Sequence, residues 1–254
     1  VLLARHKKFT KIAGVEIQEE LALLAEKNIS LNGCGEVVSI VHADIKTIKH
    51  HFSPESFDTV ITNPPFSQFR DFIDTMFKNN MGFLVVGPIT AITYKEIFNH
   101  IKDNEMWLGY AKQLSGFRLA DGTLVLSKNP EGSVPRACKW YTNLDVAYRH
   151  DRMILTENYN PEKYPKYYNY NGVDVEKTNK IPSDYSGVMG VPVTFLTKYN
   201  PDQFEIIGKG VQVEKTVRFK GDKATLWIEK DGKPFKAPFE RILIKNRALI
   251  KNEK

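Results

Sequence analysis

Short β-branched runs alternate with helix-like segments through the first half of the chain. The runs that predict strands are Lys11–Ile17, Val37–His42, Phe57–Thr62 and Gly82–Gly87. The segments in which apolar residues recur at the helical period of about 3.6 are Gln18–Asn32, Phe69–Phe77 and Thr93–Ile101. Strands that alternate with helices are typical of a parallel sheet covered by helices. We therefore predict an α/β fold whose core is built from these buried strands.

The predicted helices have one apolar face each. In the first, the residues expected in the core are Leu21, Leu24, Ala25 and Ile29. In the second, they are Phe69, Phe72, Ile73, Met76 and Phe77.

The second half of the chain follows another pattern. Met106–Tyr110 and Ala137–Asn143 are expected to close the sheet as an antiparallel pair, on either side of a long connection, Leu114–Pro135. Beyond Arg152 the alternation stops. The short strand-like runs that follow are Val193–Leu196, Val211–Phe219, Ala224–Glu229 and Ile242–Lys245, with a hairpin signal at Asp231-Gly232. We predict one domain over residues 1–152 and a β-rich extension over residues 153–254.

Polar side chains follow three of the predicted strands directly. Glu16 ends the first strand, Asp44 follows the second, and Asn63 follows the third. The carboxyl ends of parallel strands meet at one edge of a sheet, where the ligands of open α/β sheets bind. We expect these three side chains to line one crevice.

The tetrapeptide Asn63-Pro64-Pro65-Phe66 has the residue types needed to hold an exocyclic amine. Each proline fixes its own φ near about −65° and restricts its predecessor. Oxygens of Asn63 and Pro64 can then accept both hydrogens of an adenine amino group and direct its lone pair at a sulfonium methyl. Phe66 would stack on a base flipped out of a duplex. The alternative is a turn that ends the strand and buries Phe66.

The two acidic strand ends have the chemistry to hold a nucleoside cofactor. A carboxylate at Glu16 can accept hydrogen bonds from both ribose hydroxyls. Asp44 can accept one from an adenine amino group while Ile45 packs on the ring. Glu16 has an alternative role, in which it stabilises the start of the following helix through the helix dipole.

At these residues the chain resembles the amino-group methyltransferases that use S-adenosylmethionine. Asn-Pro-Pro-Phe marks the adenine N6 enzymes of DNA and RNA, and also the glutamine methyltransferases that modify release factors. Residues 1–66 resemble the methyltransferases that modify adenine in a valine tRNA, especially in Gly14–Glu19 and Asn28–Asn32. This likeness implies S-adenosylmethionine as cofactor. The cofactor-binding residues it implies are Glu16, Ile17, Asp44, Ile45 and Asn63.

Residues from Phe66 to about Phe204 resemble the EcoRI-type adenine-specific DNA methyltransferases. The matching blocks are Asn63–Ser67, Ala91–Phe98, Trp107–Tyr110, Trp140–Leu144, Tyr164–Tyr167 and Gly187–Pro192. The resemblance implies a Rossmann-like S-adenosylmethionine-dependent methyltransferase sheet and methyl transfer to adenine N6 in double-stranded DNA. The residues to which it gives catalytic roles are Asn63, Pro64, Pro65 and Phe66.

The chain starts at Val1 with the last turns of a helix, so we expect the first strand and the Gly-rich loop of that fold to be missing, which makes the sheet N-terminally truncated. Two alternatives stay open. An RNA adenine methyltransferase would share the region of Asn63, and a chain without the Gly-rich loop could be a catalytically inactive DNA-binding remnant.

Aromatic residues offer two further candidates for nucleic-acid contact. Trp140 and Tyr141 are alternative walls for a flipped base, and strand alternation turns one of them into the core. The tyrosines of residues 159–170 either stack on bases or pin an irregular segment to the domain beneath it.

Charge divides the chain unevenly. Gln203–Lys254 has 13 Lys and Arg against 7 Asp and Glu, whereas Val1–Phe66 has 7 against 8. A basic C-terminal part suits a polyanionic partner. Cys34 and Cys138, far apart and without metal-ligand spacing, indicate a reducing cytoplasm. No apolar run approaches the roughly 20 residues that cross a bilayer, so we expect no membrane partner.

Overall fold

The computed structural model describes residues 10–43, 57–109, 116–118, 123–126, 138–210, 226–230, 233–237 and 240–250. Its strands are β1 (Ile12–Glu16), β2 (Val38–His42), β3 (Thr59–Thr62), β4 (Gly82–Pro88), β5 (Trp107–Leu108), β6 (Gly116–Arg118), β7 (Leu124–Leu126), β8 (Cys138–Thr142), β9 (Val173–Asp174), β10 (Met189–Pro192), β11 (Phe204–Lys209), β12 (Trp227–Lys230), β13 (Lys233–Lys236) and β14 (Arg241–Asn246). Its α-helices are α1 (Glu19–Leu31), α2 (Phe69–Lys78), α3 (Lys95–Lys102) and α4 (Arg247–Ile250). The chain divides into two compact units, Val1–Asp58 and Thr59–Lys254.

The first unit is a strand–helix–strand arrangement. β1 and β2 are parallel and joined through α1, and their last residues, Glu16 and His42, lie opposite each other. The two carboxyl ends therefore meet at one edge, as predicted for the first two strands.

Helix α1 buries a narrower face than predicted. Ala22 and Ile29 are buried, and because they are seven residues apart they lie on the same face of the helix. Leu21 and Leu24 are 44% and 54% exposed. A sheet of two strands presents little surface to a helix. The stripe that contains Ala22 and Ile29 covers that surface, so the neighbouring leucines are left in solvent.

The second unit begins with a mixed sheet of order β3–β4–β8–β5. β3 and β4 are parallel, and β8 lies between β4 and β5 and runs antiparallel to both. This confirms the parallel pair and the antiparallel closing strands. Residues of β4 alternate between half-buried and buried, and Ile61 of β3 is 38% exposed, so these two strands are less buried than predicted. Within the second unit, described α-helices cover one face of this sheet.

Helices α2 and α3 form that cover. The predicted core residues Phe69, Ile73 and Met76 are buried, and Phe72 and Phe77 pack against the same core. The residues of α3 that are buried with them are Ile97, Phe98 and Ile101.

A second sheet follows, of order β11–β14–β10–β9. β14 runs antiparallel to β11 and β10, and β9 runs parallel to β10. β12 and β13 pair antiparallel with Lys230 opposite Lys233, which confirms the predicted hairpin. The run Val211–Phe219 lies outside the described residues.

The stretch Val193–Leu196 is a 3₁₀ helix, Val193–Lys198, and not the predicted strand. Phe195 and Leu196 are neighbours in the chain and are both buried. A strand places adjacent side chains on opposite faces, so it could not bury both on the same side.

The second sheet carries a buried polar network. Arg241 donates to both carboxylate oxygens of Asp174, at 2.8 and 3.2 Å, and the Tyr167 hydroxyl donates to Asp174 at 2.7 Å. Burial raises the pKa of Tyr167. Tyr164 is buried too, and its hydroxyl donates to the Lys180 carbonyl at 2.8 Å. These two tyrosines therefore pin their segment to the domain, as one of the two interpretations predicted.

A hydrophobic core connects the two four-stranded sheets of the second unit, and a smaller separate cluster consists of Tyr167, Leu226, Ala237 and Leu243. The larger core joins Phe69 and Tyr141 to Phe195, Phe204 and Ile242. The core is continuous across residue 152, where a domain boundary was expected, and the division of the chain falls at Asp58 instead. No helix in the described part of the chain is long and apolar enough to cross a membrane.

Candidate active site

The Asn63 loop (Asn63–Phe66) leaves β3 and leads through a short 3₁₀ helix, Phe66–Gln68, into α2. Asn63 is exposed, Pro64 is buried, Pro65 is exposed, and Phe66 is 41% exposed. The buried Pro64 anchors the loop while the residues on either side of it face solvent. This exposure contradicts the alternative in which the loop is only a turn that buries Phe66.

The side-chain amide of Asn63 has no hydrogen-bond partner among the described residues. The loop is held instead through its backbone, where the amide of Gln68 donates to the carbonyl of Pro65 at 2.9 Å. The Asn63 amide therefore remains available to a ligand, on a loop whose prolines restrict its motion.

Three other segments reach the same edge of the sheet. β4 continues into a 3₁₀ helix, Ile89–Thr93, β8 begins with Cys138 opposite Pro88, and β5 ends at Leu108. The connection predicted over Leu114–Pro135 therefore joins the ends of β5 and β8 at the sheet edge to which β3 delivers the Asn63 loop. Its described residues include the hairpin of β6 and β7.

Arg70 and Tyr94 connect the segments that follow β3 and β4. Arg70 lies in the first turn of α2, and its guanidinium carbon is 4.5 Å from the centroid of the Tyr94 ring. Arg70 is exposed and forms no ion pair with any carboxylate in the described ranges. A cation stacked on an aromatic ring at this edge can receive an anionic group.

The structure decides between the two aromatic candidates on β8. Tyr141 is 0% exposed, and its hydroxyl donates to the Pro88 carbonyl at 2.8 Å. Burial raises the pKa of Tyr141. Trp140 is 39% exposed and points to the opposite face of the sheet. Only Trp140 could form an aromatic wall for a base.

In the first unit, Glu16 contacts the start of helix α1, which was one of its two predicted roles. It can still accept a hydrogen bond from a ribose hydroxyl, which was the other. One of its carboxylate oxygens accepts a hydrogen bond at 2.9 Å from the amide of Gln18, the N-cap residue of α1. The other oxygen has no partner among the described residues. Ile17 is 61% exposed, and its carbonyl lies 3.0 Å from a ring nitrogen of His42.

The residues around Glu16 fit the nucleoside part of S-adenosylmethionine. A carboxylate oxygen and an exposed apolar side chain lie together at the carboxyl end of a parallel strand, which suits ribose hydroxyls and a purine ring. Asp44 and Ile45 lie outside the described residues and stay predictions. Within the described part of the chain, no group of His, Cys, Asp and Glu side chains is arranged to hold a metal ion.

Comparison with known proteins shows the family to which the chain belongs. Residues 26–247 match the model of the family described as adenine-specific methyltransferase EcoRI. The chain belongs to this family. The match confirms the predicted resemblance and includes the Asn63 loop, Arg70 and Tyr94.

Three type II methyltransferases are similar to this EcoRI-family chain. It is 44% identical over 207 residues to M.EcoRI of Escherichia coli, covering 76% of the chain and 59% of M.EcoRI. It is 37% identical over 162 residues to M.MgeORF184P of Mycoplasma genitalium, and 37% identical over 163 residues to M.MpnI of Mycoplasma pneumoniae. Each of these two alignments covers 59% of the chain and 51% of the relative. The chain spans between about half and three-fifths of the length of these relatives.

The sequence interpretation missed Arg70. The available signal was its position, because an arginine in the first turn of the helix that follows the Asn63 loop must lie near the same edge. The apolar pattern of α2 indicates only the opposite, core-facing side of the helix.

Proposed function

We propose that this protein transfers a methyl group from S-adenosylmethionine to the N6 amino group of adenine in double-stranded DNA. The observation that carries the proposal is the exposed, proline-held amide of Asn63 at the carboxyl edge of a parallel strand, in a chain of the EcoRI methyltransferase family. A buried asparagine would have no access to a base.

The proposed chemistry is direct transfer. When bound, S-adenosylmethionine supplies an electrophilic methyl group on a sulfonium sulfur. The Asn63 side-chain oxygen and the Pro64 carbonyl accept the two amino hydrogens of adenine, which orients the nitrogen lone pair toward that carbon. The bound group would supply the methyl carbon, the C–S electron pair would stay on the sulfur, and the methylated nitrogen would then lose a proton. Orientation and electrostatic placement supply the rate.

The other residues of the loop support this geometry. Pro64 and Pro65 hold the backbone, and the half-exposed ring of Phe66 stacks on the flipped base. Stacking offsets part of the cost of unstacking the base from the duplex, which is a few kcal/mol. The residues proposed to hold the cofactor are Glu16, Ile17, Asp44, Ile45 and Asn63, within a Rossmann-like sheet.

We assign DNA recognition to the β-rich part after residue 152 and to the connection Leu114–Pro135. The basic surplus of Gln203–Lys254 supports the first assignment. The second is supported by the topology, since the connection starts and ends at the edge that carries Asn63.

Methyl transfer to duplex DNA tests the proposal directly. The protein should methylate adenine in duplex DNA and not in a tRNA transcript, and Asn63→Ala should lose at least about a hundredfold in kcat because the amine is no longer oriented. The unfolding midpoint should not change, since Asn63 is exposed. Full activity of Asn63→Ala would refute its role, methylation of the tRNA alone would favour an RNA enzyme, and DNA binding without cofactor binding in calorimetry would indicate an inactive protein.

Arg70 gives a second test, of DNA binding near the site. Arg70→Ala should raise KM for DNA and reduce the slope of log affinity against log salt by about 1, the value for one lost phosphate contact. The control is Lys78→Ala at the other end of α2, whose ammonium pairs with Asp74 at 2.6 Å. Equal salt slopes for the two variants would rule out a phosphate contact by Arg70.

A further inference from the structure

Lys209 is a buried cation at the end of β11. Its side chain is 3% exposed, and lysines are almost never fully buried without a partner. The ammonium donates to the backbone carbonyl of Thr93, lies 3.5 Å from a carboxylate oxygen of Glu240, and lies 5.3 Å from the centroid of the Phe98 ring. Lys209 thus connects the second sheet to the 3₁₀ helix that follows β4.

The carbonyl of Thr93 needs a donor from outside its own helix. Thr93 ends the 3₁₀ helix after β4, and Tyr94 is the N-cap residue of α3, where the amide of Phe98 donates to Tyr94. The carbonyl before an N-cap residue has no place in the ladder of the helix that follows. Lys209, 116 residues further along the chain, satisfies it.

The contact continues toward the Asn63 loop. A fixed Thr93 also fixes the adjacent Tyr94, whose ring lies 4.5 Å from the guanidinium of Arg70. Arg70 follows the Asn63 loop in the first turn of α2. Lys209 is therefore linked through Thr93 and Tyr94 to the side chain of Arg70, which flanks the Asn63 loop.

Stability alone does not require such a pair. Replacing a buried ion pair by apolar groups of similar volume is often neutral or stabilising, whereas removing one partner leaves an uncompensated charge. We propose that Lys209 is a positioning residue for methyl transfer, which holds the Thr93–Tyr94 segment and with it Arg70 in the arrangement that the flipped adenine needs. This inference rests on the proposed function.

The test removes both charges together. In Lys209→Met/Glu240→Gln the unfolding midpoint should fall only slightly, because the Thr93 carbonyl loses its donor, and KM for duplex DNA should rise no more than in Arg70→Ala. Because a misplacement of about 1 Å can cost a hundredfold in rate, kcat should fall about 10- to 100-fold. Lys209→Arg, which keeps a cationic donor, should recover part of the loss. The control Lys198→Met makes the same change at an exposed lysine and should keep the parental kcat.

Hydrogen exchange adds a measurement that does not depend on catalysis. Amides of residues 89–98 should exchange about tenfold faster in the double variant, while those of β10 stay unchanged. Parental kcat, or unchanged exchange over residues 89–98, would overturn the role of Lys209. If the parent transfers no methyl group, the proposed function fails and the exchange data still decide about Lys209. If the double variant does not fold, Lys209→Gln/Glu240→Gln is measured in its place, with the same two readings.

Discussion

Phe66 and Phe69 are the same residue type three positions apart, and they occupy opposite environments. Phe66 is 41% exposed at the end of the Asn63 loop. Phe69 is 0% exposed, and its ring centroid lies 5.1 Å from that of Tyr141. Replacing each by alanine separates the loss of base stacking from the loss of core packing.

The expected magnitudes follow from these environments. Phe69→Ala should reduce the free energy of unfolding by about 3–5 kcal/mol, because the ring fills the space above Gly87 and leaves a cavity when removed. Phe66→Ala should change it by less than about 1 kcal/mol. Loss of base–aromatic stacking, about 1–3 kcal/mol, should lower kcat/KM for duplex DNA roughly 5- to 150-fold.

Two assays check this pair of variants. Denaturant unfolding gives the stability of each, and transfer of a labelled methyl group to duplex DNA gives kcat/KM. Phe66→Trp serves as the conservative variant and should keep most of the activity, because it restores an aromatic face. If Phe66→Ala were destabilised as strongly as Phe69→Ala, or methylated DNA at the parental rate, the stacking role of Phe66 would be refuted.

Two further predictions concern the C-terminal part. Hydrogen bonds from Lys163 and Lys180 lower the pKa of Glu157 to about 2. The contribution of Glu157 to stability should therefore be complete above pH 4.5 and disappear as the pH falls toward 2. Glu157→Gln should make the unfolding free energy less dependent on pH in that range. A methyl group at Gly190 would overlap the Tyr167 hydroxyl, so Gly190→Ala should cost about 1–3 kcal/mol in urea unfolding. Adding Tyr167→Phe should recover part of that loss, and no recovery would show that the overlap is not the cause.

The local chemistry of the candidate site was predictable from the sequence. Two consecutive prolines after a β-branched strand determine that the chain leaves the sheet at Asn63, whatever surrounds it. The parallel pairing of β3 with β4 and the helical faces of α2 followed from apolar periodicity, which is a property of neighbouring residues. The hairpin of β12 and β13 followed from its turn dipeptide for the same reason.

Features that depend on residues distant in sequence needed the tertiary structure. Periodicity shows that α1 has an apolar stripe, yet the exposure of Leu21 and Leu24 depends on how wide a sheet the helix covers. The alternation of β8 requires one of Trp140 and Tyr141 to face the core, but only packing against Phe69 selects Tyr141. The contact of Lys209 with Thr93 joins a strand of the second sheet to the 3₁₀ helix that follows β4, and no local pattern records which carbonyl a buried ammonium will contact. Sequence determined which residues form each element and the chemistry it carries, whereas burial and the pairing of charges arose from elements brought together by folding.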